Sequence, residues 1–387
     1  MMMIRKMMTC MPVLFLCIGH AVAQKTQTIT AKFSSIRNHT VTLSYNASGM
    51  KVTDSAKAGK DGVVRFPYKV DKPVVASLSI ADPELLLYID SFSYDPPALE
   101  MFIGEGPVLI TGQAKKFFKA SVKGGTANED WSKIRPAFAN LSDTLWTEFK
   151  KTYEKKPNAK TEEDVWIMQR RIMAARIDLQ KGFIQKNSES LVAAYFLSKI
   201  AADLEPEQLG WKYDGLGSVA KQSLYGKSVG DLVNGVRTTA TGMKAVELNK
   251  KDMNGNLVSI ESLRGKLVLL DFWGSWCGPC RASHPHLKEM YEKYKGKGFE
   301  IIGIAQEKDG SLEEAEKQWK QAITEDGIPW VQVLNNVDMG QYNIVKAYAI
   351  TAFPSKILID KEGKIIGRYV GKETADLDKI LAEMLPD

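Results

Sequence analysis

The sequence predicts a multidomain chain with an N-terminal antiparallel β-sandwich, a helical middle region and a C-terminal α/β domain whose mixed sheet is flanked by helices. Three observations predict it. Between 25 and 115, short β-rich runs alternate with turn residues; from 129 to about 223, apolar residues recur every three or four positions; beyond 241, strand-length apolar runs alternate with helical patterns. At 387 residues the chain is long enough for two or three separate cores. The expected boundaries are a leader over 1–23, a β-domain over 24–118, a helical region over 119–228, a linker over 229–240 and the α/β domain over 241–387.

The leader is read from its polarity. Arg5 and Lys6 precede the apolar run 11–18, and Ala21-Val22-Ala23 gives an A-x-A cleavage signature before Gln24. The run is too short for a membrane anchor. Leu14-Phe15-Leu16-Cys17 lacks the small residues expected ahead of a lipoprotein cysteine, which leaves a lipid anchor as the minor alternative. Cleavage after Ala23 would lower the formal charge from +6 to +4 and remove Cys10 and Cys17. Only Cys277 and Cys280 would remain, with no other thiol to pair with and no structural disulfide to join. Charges of both signs are interspersed, and no basic tract points to nucleic acid.

In the β-domain the expected strands lie over 41–45, 63–66, 74–80 and 108–111, punctuated by Gly59, Asp61-Gly62, Pro73 and Gly106-Pro107. Further on, Trp131, Ile134, Phe138, Leu141, Leu145, Phe149 and Tyr153 mark one long amphipathic helix. Val165, Met168, Ile172, Ala175 and Leu179 mark a second, and 190–202 a third. Such an aromatic stripe is the face a helix packs on its neighbours; a partner-binding face is the rival reading. The charged stretch 150–160, with Pro157-Asn158, reads as a solvated loop between helices. Because 210–242 is rich in glycine and polar residues, the linker falls in its later half.

The chemistry is concentrated in Trp276-Cys277-Gly278-Pro279-Cys280, directly behind the apolar run Leu267-Val268-Leu269-Leu270-Asp271-Phe272-Trp273. With that run as a buried strand and 281–295 as the next helix, Cys277 lies at the helix N-terminus, where unpaired N–H groups favour a thiolate. Cys280, one turn on, is close enough to form a disulfide with it. Cys277 is thus the attacking sulfur and Cys280, expected to be the more covered, the resolving one. Pro279 suits a first helical turn, where its missing N–H has no partner to lose. A zinc half-site is the competing reading, but there is no second cysteine pair, and Cys280, His284 and His286 do not match the usual finger spacing. The two histidines are expected to be solvated groups on the helix surface.

These residues resemble the thioredoxin superfamily and, more narrowly, the TlpA/ResA-like periplasmic thiol-disulfide oxidoreductases, from about Thr241 onward. Asp271, six residues before Cys277, falls where the family often places a buried acid that takes the proton of the second cysteine; the alternative is a partly solvated acid held by a lysine or a backbone donor. Pro285 matches the proline that bends the active-site helix. Phe353-Pro354 resembles the family's cis-proline loop, and 360–364 its last hairpin turn. The 73 residues between Cys280 and Pro354 match the insertion of the TlpA/ResA-like group. Two positions depart from the pattern: Ser283 stands where many relatives have glutamate, and Phe353 is bulkier than the usual residue before the cis-proline. The β-domain loosely resembles the uncharacterised domain that precedes the redox domain in exported relatives.

The remaining elements of the last domain are a strand over 299–305, a helix over 311–325, then strand 330–334, helix 341–349, strands 355–360 and 364–370, and helix 374–385. The resemblance implies an exported protein-disulfide reductase. Cys277, Cys280 and Asp271 carry the chemistry, while Trp276, Gly278, Pro279, Phe353 and Pro354 meet the substrate. It requires no cofactor and no metal. Its partners would be disulfide-containing exported proteins and a membrane thiol donor; nothing in the sequence marks an oligomeric state. The alternatives are a dithiol oxidase or isomerase of the same fold, or a ligand-binding surface protein with a regulatory redox pair.

Overall fold

The computed structural model describes residues 26–36, 39–47, 49–89, 92–155, 158–308, 310–371 and 375–386. The leader read over 1–23, its two cysteines and Pro157 lie outside them. Strands β1 (Gln27–Ser34), β2 (Thr40–Ala47), β3 (Met50–Lys57), β4 (Val63–Tyr68) and β5 (Val74–Ala81) come first. A small hairpin, β6 (Leu87–Ile89) and β7 (Phe92–Tyr94), precedes β8 (Leu99–Ile103), β9 (Val108–Gln113) and β10 (Ser121–Lys123). All but the hairpin belong to one compact unit, built from the chain up to Leu85 together with Ala98–Gly125.

That unit is a sandwich of two sheets, ordered β10-β9-β1-β4 and β3-β2-β5-β8. Alternation produces it: Val74, Ala76, Leu78 and Ile80 of β5 and Ile29, Ala31 and Phe33 of β1 all enter one core with Phe66, Met101 and Ile110. The expected all-antiparallel pattern is corrected at one ladder, since β1 pairs in parallel with β9 through Ile29↔Val108 to Ser34↔Gln113. These strands are far apart in sequence, so no tight turn imposes an antiparallel return.

The second unit comprises Leu86–Pro97 and the chain from Thr126 onward. Its helices begin with α1 (Thr126–Ser132), α2 (Arg135–Tyr153), α3 (Ala159–Lys186) and α4 (Leu191–Ile200). Asn158 starts α3 with a capping box completed by Thr161. The aromatic stripe is core at its start: Trp131 and Phe138 pack on Phe196 of the apolar helix α4, with ring centroids 5.3 and 5.6 Å away. Then follow α5 (Pro206–Asp214), α6 (Ser218–Gln222) and α7 (Leu224–Thr238).

Helix α7 overturns the linker expected over 229–240. Its glycines serve close packing rather than flexibility: a Cβ on Gly226 would overlap the carbonyl of Ala220, and one on Gly235 would come within 3.1 Å of the carbonyl of Lys346. Val229 and Val233 are buried, and Asp231 pairs with Lys346 at 2.7 Å. The stretch is therefore a packed helix whose low intrinsic propensity is overridden by tertiary contacts.

The rest of the chain is β11 (Lys250–Lys251), β12 (Leu257–Val258), β13 (Leu267–Trp273), α8 (Gly278–Tyr294), β14 (Phe299–Ala305), α9 (Leu312–Asp326), β15 (Val331–Leu334), α10 (Ile344–Ala347), β16 (Ser355–Ile359), β17 (Ile365–Val370) and α11 (Ala375–Met384). Five strands form the sheet β15-β14-β13-β16-β17, with β13 parallel to β14 and antiparallel to β16. Strand β13 is buried at every residue. Leu267, Leu269 and Trp273 face a core with α8, α9 and α11, and Val268, Leu270 and Phe272 face a second core with Ile344 and Tyr348. The helix expected over 341–349 shortens to α10, capped by Asn343 and followed by Ala349 in the left-handed region at φ 51°.

Candidate functional site

The polypeptide leaves β13 at Gly274 and enters α8 through Ser275, Trp276 and Cys277. Cys277 is the N-cap, with Pro279 in the first turn, so α8 starts earlier than the 281 expected. Its Sγ accepts the N–H of Cys280 at 3.3 Å, the contact a thiolate would use, and its carbonyl accepts from Cys280 and Arg281. The two cysteines are joined in a disulfide, with Cα atoms 5.3 Å apart. Exposure scarcely separates them, at 4% for Cys277 and 1% for Cys280. Cys280 is the more covered, as expected, but by so little that the cap position is what distinguishes Cys277.

Around the disulfide, Gly278 and Pro279 are exposed and Pro354 is buried, the Phe353-Pro354 bond being cis. Trp276 is 40% exposed; its ring meets Phe353 edge-on at 5.7 Å, Lys308 lies over it at 4.6 Å, and its Nε1 donates to the Gln306 carbonyl. Beneath this loop is a clamp that the sequence reading missed. The carboxylate of Glu307, 2% exposed, accepts from Ser275 N at 2.9 Å and from Ser275 Oγ at 2.5 Å. The available signal was an acid two residues after an apolar strand, where burial demands a hydrogen-bonded partner.

Asp271 is 1% exposed, on the same face of β13 as Trp273. Register places it opposite Lys356 of β16, whose Nζ is 3.1 Å from Asp271 Oδ1. A lysine does hold this acid, as one of the two readings anticipated, but the pair is buried rather than solvated.

His284 corrects another expectation: it is 1% exposed, not solvated. Its ring lies edge-on to Trp273 at 4.9 Å, its Nδ1 is 2.7 Å from Asp326 Oδ2, and its Nε2 is 3.9 Å from Asp271 Oδ2. His286 is half-exposed and meets Asp378 of α11 at 3.0 Å. Thus the two histidines turn to different carboxylates. Among the described residues no cluster of three or more His, Cys, Asp or Glu could hold a metal ion. Ser283 donates its Oγ back to the Cys280 carbonyl at 2.7 Å.

Asp326 joins this network to the surface. Burial opposes its ionisation, but hydrogen bonds from Arg281 and His284 outweigh that and hold its carboxyl below the ordinary value. Arg281 grips it with Nε and Nη2 and reaches Glu325 at 2.9 Å. A carboxyl depressed in the fold stabilises above its unfolded value of 3.8 and loses that contribution as pH falls through the folded value. Asp326→Asn is therefore expected to cost about 1–3 kcal/mol at neutral pH. That gap to the parent should narrow below about pH 4. Urea midpoints of both proteins at neutral and acid pH check this.

Two family models match separate parts of the chain. The Redoxin family matches residues 238–384, and the domain of unknown function DUF4369 matches 27–131. The thiol-disulfide oxidoreductase ResA of Bacillus thuringiensis (strain Al Hakam) is 32% identical over 146 residues, covering 38% of this chain and 79% of that protein. Its counterpart from Bacillus subtilis (strain 168) is 27% identical over 143 residues, or 37% and 74% of the two chains. Among solved structures, the thioredoxin domain of a thiol-disulfide oxidoreductase from Bacteroides vulgatus is 37% identical, covering 38% of this chain and 98% of that one, with a TM-score of 0.33.

Proposed function

We propose, from the premise that this chain belongs to the ResA-like thiol-disulfide oxidoreductases of the thioredoxin superfamily, that it is an exported protein-disulfide reductase using a Cys277/Cys280 dithiol cycle. The observation that carries this reading is Cys277 at the N-cap of α8, its sulfur facing the Cys280 N–H. In the reduced protein the Cys277 thiolate attacks one sulfur of a substrate disulfide, forming a mixed disulfide and releasing the first substrate thiolate. Cys280 then attacks Cys277, releases the second, and closes the enzyme disulfide. Two electrons pass to the substrate. In this reading Asp271 takes the proton of Cys280.

Trp276, Gly278, Pro279, Phe353 and Pro354 form the docking surface, where the loop before β16 pairs with an extended segment of the partner. Export rests on the signal-peptide pattern of residues 1–23. No helix among the described residues is long and apolar enough to cross a membrane. The partners are disulfide-containing exported proteins, and a membrane thiol donor restores the dithiol. Redox titration of the full chain tests the direction of flow. A midpoint near thioredoxin's, about −270 mV, is expected; one near about −120 mV, where strong dithiol oxidants lie, would overturn it.

A further inference from the structure

His284 is a buried titratable group to which the Cys277/Cys280 cycle assigns no task. It stands four residues after Cys280 on α8, so the two side chains occupy one helix face, one above the other. Its Nδ1 lies 2.7 Å from Asp326 Oδ2. Since the carboxylate of Asp326 offers only acceptors, Nδ1 must carry the hydrogen. Its Nε2 then faces Asp271 Oδ2 at 3.9 Å and has no hydrogen-bond partner. A lone pair opposite a buried carboxylate is two acceptors face to face, an arrangement that a proton between them relieves.

Charged groups face this arrangement from four elements. From α8, Arg281 reaches the Asp326 carboxylate and Lys288 its backbone carbonyl; α9 contributes Glu325 and Asp326; β13 contributes Asp271, and β16 contributes Lys356 beside Asp271. The rings of Trp273 and Trp330 close on the imidazole at 4.9 and 6.2 Å. Asp326, with 14% of its side chain exposed, is the exit to water.

We infer that His284 is a positioning residue for the proton of the resolving step, linking buried Asp271 to the surface through Asp326. This rests on the reading of Asp271 as proton acceptor for Cys280. As Cys280 attacks the mixed disulfide, its proton passes to the Asp271 carboxylate and on to His284 Nε2. The Nδ1 hydrogen leaves to Asp326 and then to water. The sulfur–sulfur bond to the substrate breaks, the bond between Cys277 and Cys280 forms, and the departing thiolate takes a proton from solvent.

The test uses the reduced full-length protein and dithiobis(nitrobenzoate) in stopped flow from pH 5.5 to 9. One nitrobenzoate thiolate is released when Cys277 attacks and a second when Cys280 resolves, so the two steps are read separately. His284→Asn keeps a donor for Asp326 but has no Nε2. It should slow the second release roughly 10- to 100-fold at neutral pH and flatten its pH profile, leaving the first release within about twofold. Asp326→Asn should act in the same direction; its carboxylate lies at the rim, so it decides the matter if circular dichroism shows the histidine variant unfolded. Equal slowing of both releases would mean a structural role and overturn the inference. An unchanged second release in both variants, with Asp271→Asn still slow, would overturn the relay and leave Asp271 as acceptor. If Asp271→Asn is also unchanged, the underlying reading fails as well.

Discussion

Cys277→Ser is expected to reduce insulin-disulfide reduction by the full chain to the uncatalysed background, while Cys280→Ser accumulates a mixed disulfide with its partner. The two outcomes differ because the two sulfurs occupy different places on one helix. Cys277 caps α8 and receives the Cys280 N–H, so the helix end stabilises negative charge on that sulfur and on no other. A serine hydroxyl there is far less acidic and forms no disulfide, which removes the first step altogether. Serine at 280 leaves attack intact and removes only release. Adducts should survive non-reducing electrophoresis and disappear with dithiothreitol; a Cys280→Ser protein that captures nothing from exported fractions would count against a protein substrate.

The largest effect on stability is expected at Lys356. Its ammonium and the Asp271 carboxylate are each 2% exposed as side chains and lie 3.1 Å apart, with neither atom completing a regular hydrogen bond. Lys356→Met keeps the apolar stem and strands the carboxylate among Trp273 and the α8 core, at a cost of about 3–5 kcal/mol. Removing both charges together, in Asp271→Leu/Lys356→Met, should restore stability to within about 2 kcal/mol of the parent, because a well-packed apolar pair avoids desolvating two ions. Urea unfolding of the three proteins, followed by tryptophan fluorescence, measures the difference. A Lys356→Met protein as stable as the parent would mean that the buried pair contributes no net stability.

The redox domain was legible in detail because its signals are local. Strand β13 is a continuous apolar run, α8 opens with a cap and a proline, and Cys277 and Cys280 are three residues apart, so their approach follows from helix geometry alone. The central strand β5 was legible through its period of two, whereas the edge strand β3, polar and largely exposed from Met50 to Lys57, gave no such pattern. Helix α7 was misread as a linker because glycine marks both flexible chain and close helix packing; only the neighbours of Gly226 and Gly235 tell them apart.

Sequence alone determined where the two sulfurs lie, one at the cap and one a helical turn on, since both positions are fixed within five consecutive residues. Tertiary structure decided what surrounds them. Lys356 lies opposite Asp271 through strand register, Glu307 reaches back under Ser275, and His284 lies buried between two carboxylates from different elements. Each of those groups is polar and would be solvated in an isolated segment. Their burial depends on the sheet and helices closing over them, and that closure depends on contacts between residues far apart in the chain.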